Sequence, residues 1–429
     1  VMRPDTKNTL MKTAVWILRI AVGAVFLMSG TVKAIDPWGF VFKLEEYLAA
    51  FGFDIPRSIV LTGGISLCVY EFVFGMLLAT GCCRRIAPLA LTALMAVMLP
   101  LTAYIAIANP VSDCGCFGDA WVLSNNATFL KNLVITAALI FLIIHNKTGI
   151  RPVFRPAIQW VADIIAGLYI IGISLYGYNI QPMIDFRPFA PGNALVATDD
   201  ESDNIAFVYE KNGEQQTFSP DELPGDDWTF IKRLDNTSHH SESLHILDND
   251  GIDIADEIIT PEGRLLLIVV PEPHRADISY TYFINELNDK AHAAGIDVVA
   301  LLATGAKGID RWKDISMAAY PCYTAEDTQL KELARGLMSL VLVDNNTVVG
   351  KATLSSLVTD TTENNPMLTV DRLATQKSAT LFWQATATVA VALLLLFIFQ
   401  GIILQGRNMV RKKIRNAKAR RQPPAGQKP

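Results

Sequence analysis

The chain has few charged residues. Asp, Glu, Lys and Arg make up 18% of its 429 residues, whereas an ordinary soluble protein has about 25%. Hydrophobic residues reach 51%, which excludes an intrinsically disordered chain because disorder requires low hydrophobicity and high net charge. A purely soluble protein is also disfavoured, and the sequence predicts a membrane protein.

Several catalytic signatures are also missing. The sequence contains no phosphate-binding glycine loop, no His-x-x-x-His helix and no Ser/His/Asp motif. The stretch Asp248–Asp253 with Glu257 is similar to a calcium loop, but Ile246 takes the place of its first acidic ligand. We therefore predict an acidic turn there, since Asp and Gly favour turns.

Long apolar runs are present, and a helix needs about 20 apolar residues to cross a bilayer. The predicted spans are Ala14–Ala34, Ile59–Thr80, Ile86–Ala108, Phe129–His145, Ile158–Tyr178 and Ala379–Leu404. The first is too long for the apolar region of a cleaved signal peptide and lacks a cleavage site, so we expect an uncleaved anchor.

The distribution of Lys and Arg predicts the orientation. Basic residues concentrate at the N-terminus, between the second and third spans, between the fourth and fifth, and in the tail, which has nine and no acid. By the positive-inside rule, both termini are cytoplasmic and residues about 181–377 are periplasmic, in a bacterial inner membrane. We interpret the tail as an anchor beside anionic lipid of the bilayer rather than as a nucleic-acid-binding segment.

The predicted outer block is strongly acidic. Residues 181–378 carry 15 Lys and Arg against 33 Asp and Glu, although the whole chain has a net charge of only -5. Like charge repels nucleic acid and anionic lipid, so neither is expected to bind there. A basic or thiol-bearing protein partner outside the membrane fits this charge better.

The loop between the third and fourth spans contains two closely spaced cysteines. Cys114 and Cys116 flank Gly115, a residue that tolerates the backbone of a very tight disulfide ring. Strained disulfides exchange readily, but Asp113 and Asp119 would raise the thiol pKa values. The spacing leaves open a redox pair, a structural disulfide, and half of a metal site.

Residues 15–145 resemble the DoxX-like and MauE-like family of helical membrane proteins. The matching segments are Leu18-Arg19, Phe26–Lys33, Asp36-Pro37, Glu71 with Gly75, Asn132, and Asp113-Cys114-Gly115-Cys116-Phe117-Gly118. The resemblance implies a four-helix core similar to quinone-linked oxidoreductases and a link to disulfide formation in exported proteins. It points to Cys114 and Cys116 as the redox pair, Asp113, Gly115, Phe117 and Gly118 as the supporting loop, and quinone as a possible cofactor; no cofactor is certain.

Two charged residues are predicted within the membrane, where such residues are costly. If Arg19 and Glu71 lie about five and nine residues from the inner edge, their levels differ by about 6 Å at ~1.5 Å per residue. We therefore predict an Arg19–Glu71 ion pair, which sets helix register or transfers a proton. Lys33, nearer the outer edge, is expected to extend to the interface.

The outer block begins with a proline-containing linker and a small β element, in which Asn212-Gly213 predicts a hairpin turn. Strands are then expected at Leu244–Leu247, Arg264–Val270, Ile296–Leu302, Leu340–Val343 and Thr347–Lys351. The expected helices are Ile278–Ala294, Lys307–Ala319 and Thr328–Gly336.

This order resembles a thioredoxin-like domain of the TlpA type, although the residues of its redox centre are missing. Pro271-Glu272-Pro273-His274 occupies the place of the family's Cys-x-x-Cys, and Met338 that of its cis-proline. Cys322 is either an exposed exchanging thiol or a packed small residue.

The expected fold class is an α-helical transmembrane bundle, with a four-helix core and two further spans, that carries an inserted α/β thioredoxin-like domain. The predicted domains are a DoxX/MauE-like membrane domain (1–150), a fifth span (151–180), a linker with a small β element (181–242), a degenerate thioredoxin-like domain (243–377), a sixth span (378–405) and a basic tail (406–429).

Two functional hypotheses follow from these observations. The first is a membrane thiol–disulfide oxidoreductase, or an accessory to one, that acts on an extracytoplasmic client. The second is a non-enzymatic anchor or scaffold of an envelope or export complex, in which the thioredoxin-like domain docks partners.

Overall fold

The computed structural model describes residues 4–421 except 109–116, 122, 146–151, 197–204, 212–213, 219–227, 236–242 and 261. The chain divides into two compact units. One combines Val1–Gly177 with Ser378–Pro429, and the other is Tyr178–Lys377. The first is helical and the second contains all the described strands.

The helical unit contains the long apolar helices of the chain. Its helices are α1 (Pro4–Ile35), α2 (Pro37–Ala50), α3 (Arg57–Thr80), α4 (Ile86–Ala108), α5 (Asn125–Ile144), α6 (Pro156–Asn179, whose last two residues belong to the other unit) and α14 (Ser378–Arg421). Six of them, all except α2, are long and apolar enough to cross a membrane. Each of the six predicted spans coincides with one of these helices, so the prediction of several apolar helices long enough to cross a membrane is confirmed.

Glycines bring α1 and α3 together. A Cβ on Gly23 would lie 2.8 Å from the Gly75 carbonyl oxygen, and one on Gly30 would lie 2.8 Å from the Cys68 carbonyl oxygen. Side chains at these positions would force the backbones apart. Close backbone approach is typical of small-residue interfaces between membrane helices, and it places the polar residues of α1 directly against α3.

The helix α2 was not predicted; it lies between the first two predicted spans, Ala14–Ala34 and Ile59–Thr80. Its start follows capping rules: the Asp36 carboxylate accepts a hydrogen bond from the Gly39 N–H at 2.9 Å, and Pro37 occupies the first turn. Trp38, Phe40 and Val41 are buried. An Asp-Pro pair before apolar residues is a helix-start signal, so this helix was recognisable from the sequence.

The last helix, α14, attaches to the bundle through polar contacts. The Gln400 side chain accepts from the Arg155 N–H at 2.6 Å and donates to the Val153 carbonyl at 3.0 Å. Nearer the amino end of α14, the hydroxyls of Thr386 and of Tyr169 of α6 lie 2.8 Å apart. These bonds fix its register against α6 and the segment before it.

The second unit has two sheets. Strands β1 (Ile205–Lys211), β2 (Glu214–Phe218) and β3 (Thr229–Asp235) form an antiparallel sheet in the order β2-β1-β3. The pairing of Lys211 with Glu214 across Asn212-Gly213 confirms the predicted hairpin.

The larger sheet is mixed. Its strands are β4 (Arg264–Val270), β5 (Ile296–Leu302), β6 (Cys322–Thr324), β7 (Ser339–Asp344) and β8 (Thr347–Thr353), in the order β6-β5-β4-β7-β8. β4, β5 and β6 are parallel, and β7 is antiparallel to both β4 and β8. The helices of this unit are α7 (Ala255–Ile258), α8 (Thr281–Ala293), α9 (Ala306–Ser316), α10 (Asp327–Leu333), α11 (Leu354–Leu357), α12 (Asp360–Asn364) and α13 (Leu368–Ala374).

Both faces of the mixed sheet are buried. Along β4, Leu266 and Ile268 enter one apolar cluster with Trp312 of α9, while Leu265 and Leu267 enter the other. This burial accounts for the continuous apolar run of β4, which is typical of parallel strands covered on both sides.

Two predictions about the start of this unit need correction. Residues 244–247 do not form a strand; only Leu247 makes isolated bridges, to Asp253 and Thr324. The segment from residue 181, for which its prolines predicted a linker, contributes the fully buried Phe189 and Leu195 to the core. Composition alone misled here because a few apolar anchors are enough to pack an irregular segment.

Candidate functional site

The cysteine motif ends at a well-packed residue of the bundle. Four of its residues, Asp113, Cys114, Gly115 and Cys116, lie outside the described residues. Phe117, the next residue, is 5% exposed, and its ring centroid is 6.0 Å from that of Trp121. Lys131 of α5 places its ammonium 4.4 Å from the Phe117 ring centroid. The carboxyl end of the motif therefore contacts α5 through this cation–π pair and packs on Trp121, which precedes α5.

Gly118 follows with φ +51°, a conformation that a side chain disfavours. It opens a single 3-10 turn, Gly118–Ala120, before α5 begins. This turn explains why glycine follows the phenylalanine in the motif. Of the four residues predicted to support the cysteine loop, the structure describes Phe117 and Gly118. Phe117 packs against Trp121 and Lys131, and Gly118 opens the 3-10 turn.

A buried ion pair joins α1 and α3. The Lys33 ammonium lies 2.7 and 2.9 Å from the two carboxylate oxygens of Glu71, and the Ser29 hydroxyl donates to Glu71 at 2.8 Å. The Lys33 and Glu71 side chains are 3% and 4% exposed. Removing either partner would leave a buried charge without its counter-charge, which is destabilising.

This arrangement corrects two predictions. Glu71 pairs with Lys33 rather than with Arg19, and Lys33 is buried rather than extended toward the interface. Phe40 of α2 covers the Lys33 ammonium at 5.2 Å from its ring centroid. The unpredicted helix α2 therefore helps to enclose Lys33.

Arg19 lies at a different level of the bundle. It donates to the Ala79 carbonyl at 3.3 Å, and Ala79 is eight residues, or about 12 Å along the helix, from Glu71. The predicted levels were wrong because they assumed that both spans start at the same inner edge. The close glycine contacts set another register, in which Arg19 faces the end of α3.

A small cavity lies beside the ion pair. Its volume is about 40 Å³, and Ser29, Lys33, Glu71, Phe117 and Asn132 contribute to its walls. The volume suits water rather than a ring-sized ligand, since ligand pockets are typically about 300–1,000 Å³. The cavity brings the end of the cysteine motif and the buried ion pair to one place.

Asn132 adds a further polar group to this wall. It is 4% exposed and donates from its side-chain amide to the Thr102 hydroxyl of α4 at 3.3 Å. Asn132 is part of the family resemblance noted above, but Thr102 and Ser29 were not predicted as polar partners. Their signal was weak, because hydroxyl residues also occur in membrane helices without any binding role.

The sheet unit has no cysteine at the end of β4, where Pro273–Arg275 forms a 3-10 turn. Cys322, on β6, is 6% exposed, and burial raises the pKa of its thiol to about 11. A thiol that stays protonated is a poor nucleophile. The interpretation of Cys322 as a packed residue therefore agrees with the structure, and that of an exposed thiol does not.

The acidic stretch after Ile246 forms a turn closed by its own carboxylates. Asp248 accepts from the backbone N–H of Asp250 and Ile252 at 2.9 and 2.8 Å, and Asp253 accepts from Ile246 at 3.1 Å. These bonds support the prediction of a turn. Within the part of the chain that the structure describes, no group of three or more His, Cys, Asp or Glu is placed to hold a metal ion.

Comparison with protein families supports the membrane assignment. Residues 11–145 match the family described as methylamine utilisation protein MauE. Residues 204–237, which contain the three-stranded sheet, match a domain of unknown function (DUF8463). No curated protein and no solved structure matches the chain. Residues 11–145, which are part of the helical unit, are thus similar to MauE, and the apolar helices of this unit suit a lipid bilayer.

Proposed function

We propose that this MauE-like membrane protein takes part in thiol–disulfide exchange outside the cytoplasm, with Cys114 and Cys116 as the exchanging pair. One observation carries the proposal: Phe117, the residue after Cys116, lines the same cavity as the buried Lys33 and Glu71. Cys116 is therefore adjacent in sequence to a residue that lines a polar cavity inside an apolar bundle.

The proposed reaction is a two-electron exchange. A client thiolate attacks one sulfur of the Cys114–Cys116 disulfide and forms a mixed disulfide, and the second client thiolate then displaces that sulfur. The client gains a disulfide, and Cys114 and Cys116 take up two electrons and two protons. A quinone of the membrane would accept both and become the quinol, which restores the disulfide.

The local charges bear on this chemistry. A cation near a thiol favours the reactive thiolate, and Lys131 supplies one against Phe117. Asp113 and Asp119 oppose it, as noted from the sequence. The cavity beside Lys33 is too small for a quinone ring, so we place the electron acceptor at the bilayer surface near the motif.

The acidic unit is proposed to lie in the periplasm, with both termini of the chain in the cytoplasm of a bacterium. Its mixed sheet supports a thioredoxin-like assignment, because three parallel strands with intervening helices precede an antiparallel pair. We assign this unit a docking role for a client, which is an exported protein that acquires disulfides. The description of the matched family suggests proteins of methylamine metabolism as the first clients to test.

The test is to trap thiols in cells with a reagent that adds mass, and to compare the wild-type chain with C114A/C116A. We expect the pair to shift between modified and unmodified forms when the oxidant is withdrawn, and client disulfides to be lost in the variant. Cys83→Ala, which removes an exposed thiol of another loop, is the matched control. A pair whose redox state never changes, together with full client oxidation in C114A/C116A, would show the proposal to be wrong.

A scaffold role without exchange is the second candidate. It is favoured by the sheet unit, where Cys322 is buried and the turn directly after β4, Pro271–Arg275, contains no cysteine. Purification in mild detergent should then recover a partner in fixed ratio from both the wild type and C114A/C116A. Recovery of a partner only while the cysteines are intact would favour exchange instead.

A further inference from the structure

A second, larger pocket lies in the sheet unit, at the amino ends of β4 and β5. Its volume is about 570 Å³, within the range of ligand-binding sites. Walls come from the segment around α7, from the end of α8 and from the residues before β6. Nothing in the proposed exchange reaction uses this pocket.

One wall of the pocket is an open strand edge. β6 pairs with β5 only at Ala300, Leu301 and Leu302, so Ile296–Val299 have no strand beside their outer edge in the described part of the chain. The Ala300 N–H donates to the Pro321 carbonyl at 2.9 Å, toward β6. Residues two apart in a strand direct their backbone groups to the same side, so Val298 and Ile296 direct theirs to this open edge.

The chain leaves this edge open because it turns away before β6. Met317 has a left-handed backbone with φ +50°, and Tyr320 is buried against the cluster that contains Trp312. Tyr320, which precedes β6, is thus packed on one face of the sheet, and the pairing of β6 with β5 begins only at Cys322. An unpaired edge is a template for another strand.

The lining of the pocket is acidic. Four exposed carboxylates contribute to it: Glu257, Glu262, Asp289 and Asp297. Arg264 also lines the pocket, but its guanidinium is 3.1 Å from the carboxylate of Asp344. His292 lies 3.9 Å from Asp297. The charge favours a cationic occupant, and the strand edge favours an extended one.

Apolar side chains complete the walls. Ile258, Val299, Val343 and Tyr323 line the pocket beside the carboxylates. An extended chain alternates its side chains between two directions, so basic side chains can reach the carboxylates while apolar ones contact this wall. These features together match recognition by strand addition, in which main-chain hydrogen bonds supply affinity and side-chain pockets supply selectivity.

We propose that the open edge of β5 binds an extended, basic segment of a partner protein, which adds as a strand beside Ile296–Val299. This proposal goes beyond thiol exchange and does not depend on Cys114 or Cys116. It assigns a partner chemistry to the sheet unit: alternating basic and apolar residues, without proline at the positions that pair.

The test uses full-length protein in nanodiscs and a synthetic peptide of alternating Lys and Val. We expect saturable binding, weakened about tenfold by E262Q/D297N, because two exposed charge pairs are removed. D310N/D314N removes two exposed carboxylates of α9 that do not line the pocket, and this control should change affinity less than about twofold. Equal weakening by both double variants would overturn the proposal, since the attraction would then come from overall charge.

Backbone recognition is tested on the peptide. Two versions carry N-methyl groups on alternate residues, one set on the odd and the other on the even positions. A strand pairs through one edge only, so one version should lose at least about tenfold in affinity and the other should stay within about twofold of the parent. Equal binding of the two versions would reject strand addition and leave a site for small cations.

Discussion

Each of the two units buries a cluster of charged side chains, and the two clusters differ in their surroundings. In the bundle, Lys33 and Glu71 form a pair of opposite charges beside a cavity of about 40 Å³. In the sheet unit, Asp185 binds both Arg187 and Lys351, at 2.7 and 2.9 Å. The first cluster has room for water and an adjoining cysteine motif, whereas the second is enclosed by protein.

The charge balance differs as well. Asp185, Arg187 and Lys351 have side chains no more than 7% exposed, so one buried anion faces two buried cations. Burial favours the neutral carboxyl, but Arg187 and Lys351 outweigh it and hold the pKa of Asp185 well below its usual range. Burial lowers the pKa of Lys351 to about 8, against the opposing effect of Asp185.

The comparison shows that a buried charge is not by itself a sign of chemistry. The sheet cluster ties residues 185–187 to β8, and Arg187 also donates to the Lys331 carbonyl at 3.1 Å. It therefore fastens an irregular segment to the sheet. The bundle pair has a cavity beside it that is also lined by Phe117, the residue after the cysteine pair, and these features make it a candidate site rather than only a stabilising contact.

The largest effect is expected from Asp185→Asn. The change leaves Arg187 and Lys351 as buried cations without a counter-charge, which should destabilise the sheet unit by about 3–5 kcal/mol. Hydrogen exchange of the β4 and β7 amides in the full-length protein measures this loss as a lower opening free energy. Protection within about 1 kcal/mol of wild type would show that water or relaxation reaches the cluster, contrary to its enclosed geometry.

Lys351→Met is the matched control, since Asp185 keeps its three hydrogen bonds from Arg187. We expect a change of less than about 1.5 kcal/mol at pH 7. In the wild type, the pKa of Lys351 is lower in the folded state, about 8, than the value of about 10.4 in the unfolded chain. Between these values the unfolded chain binds more protons, so stability from this group rises with pH. The variant should lack that rise.

A smaller effect is expected from Lys33→Met in the bundle. The change leaves Glu71 without its cationic partner, but the cavity has room for water and Ser29 still donates a hydrogen bond. The free energy of unfolding should therefore fall by about 1–3 kcal/mol. Titration with a denaturing detergent, followed by tryptophan fluorescence, measures it. The double variant K33M/E71L should recover most of the loss because no buried charge remains.

The double variant K33M/E71L also tests whether the ion pair serves the cysteine motif or only the stability of the bundle. If the ion pair positions the cysteine motif, exchange by Cys114 and Cys116 should slow in K33M/E71L even though stability recovers. Exchange at the wild-type rate in a stable double variant would show that the Lys33–Glu71 ion pair only stabilises the fold, as the Asp185 cluster does.

The smallest effect concerns Cys322. Because burial raises the pKa of its thiol to about 11, native protein at pH 8 should label at Cys322 far more slowly than at Cys83, which is exposed. Mass spectrometry after brief alkylation compares the two sites in one sample, and C322A should leave client oxidation unchanged. Rapid labelling of Cys322 in folded protein would reopen its interpretation as an exchanging thiol.

Local pattern predicted much of the architecture. The spans, the Asn212-Gly213 hairpin and the strands at Arg264–Val270 and Ile296–Leu302 follow from runs and turn signals that act over a few residues. Two missed elements differ in kind: α2 has 14 residues and a start signal at Asp36-Pro37, so it was recognisable, whereas β6 has three residues. A strand of three residues is stabilised by its neighbours rather than by its own periodicity, so a local pattern does not reveal it.

The prediction of the candidate site likewise drew on residues that stand out locally and was wrong for a contact between distant segments. The sequence alone indicated Cys114, Cys116 and Glu71 as candidates, since an acid within an apolar span and a Cys-Gly-Cys loop are rare in an apolar chain; the role of the two cysteines stays a prediction. It did not identify the partner of Glu71, because a ~1.5 Å rise per residue turns a small error in the edges of two spans into a wrong partner.

The sequence by itself determined that this chain carries apolar spanning helices, an acidic sheet unit and a cysteine motif between two spans. Composition and run length are enough for those, because the hydrophobic effect acts on each segment according to its own residues. Only the tertiary structure decided that Glu71 binds Lys33, that Phe117 lines the cavity beside them, and that no strand of the described chain lies beside the outer edge of Ile296–Val299. These depend on how closely the helix backbones approach at Gly23 and Gly30, and on where the chain turns after α9, which are properties of packing between distant segments.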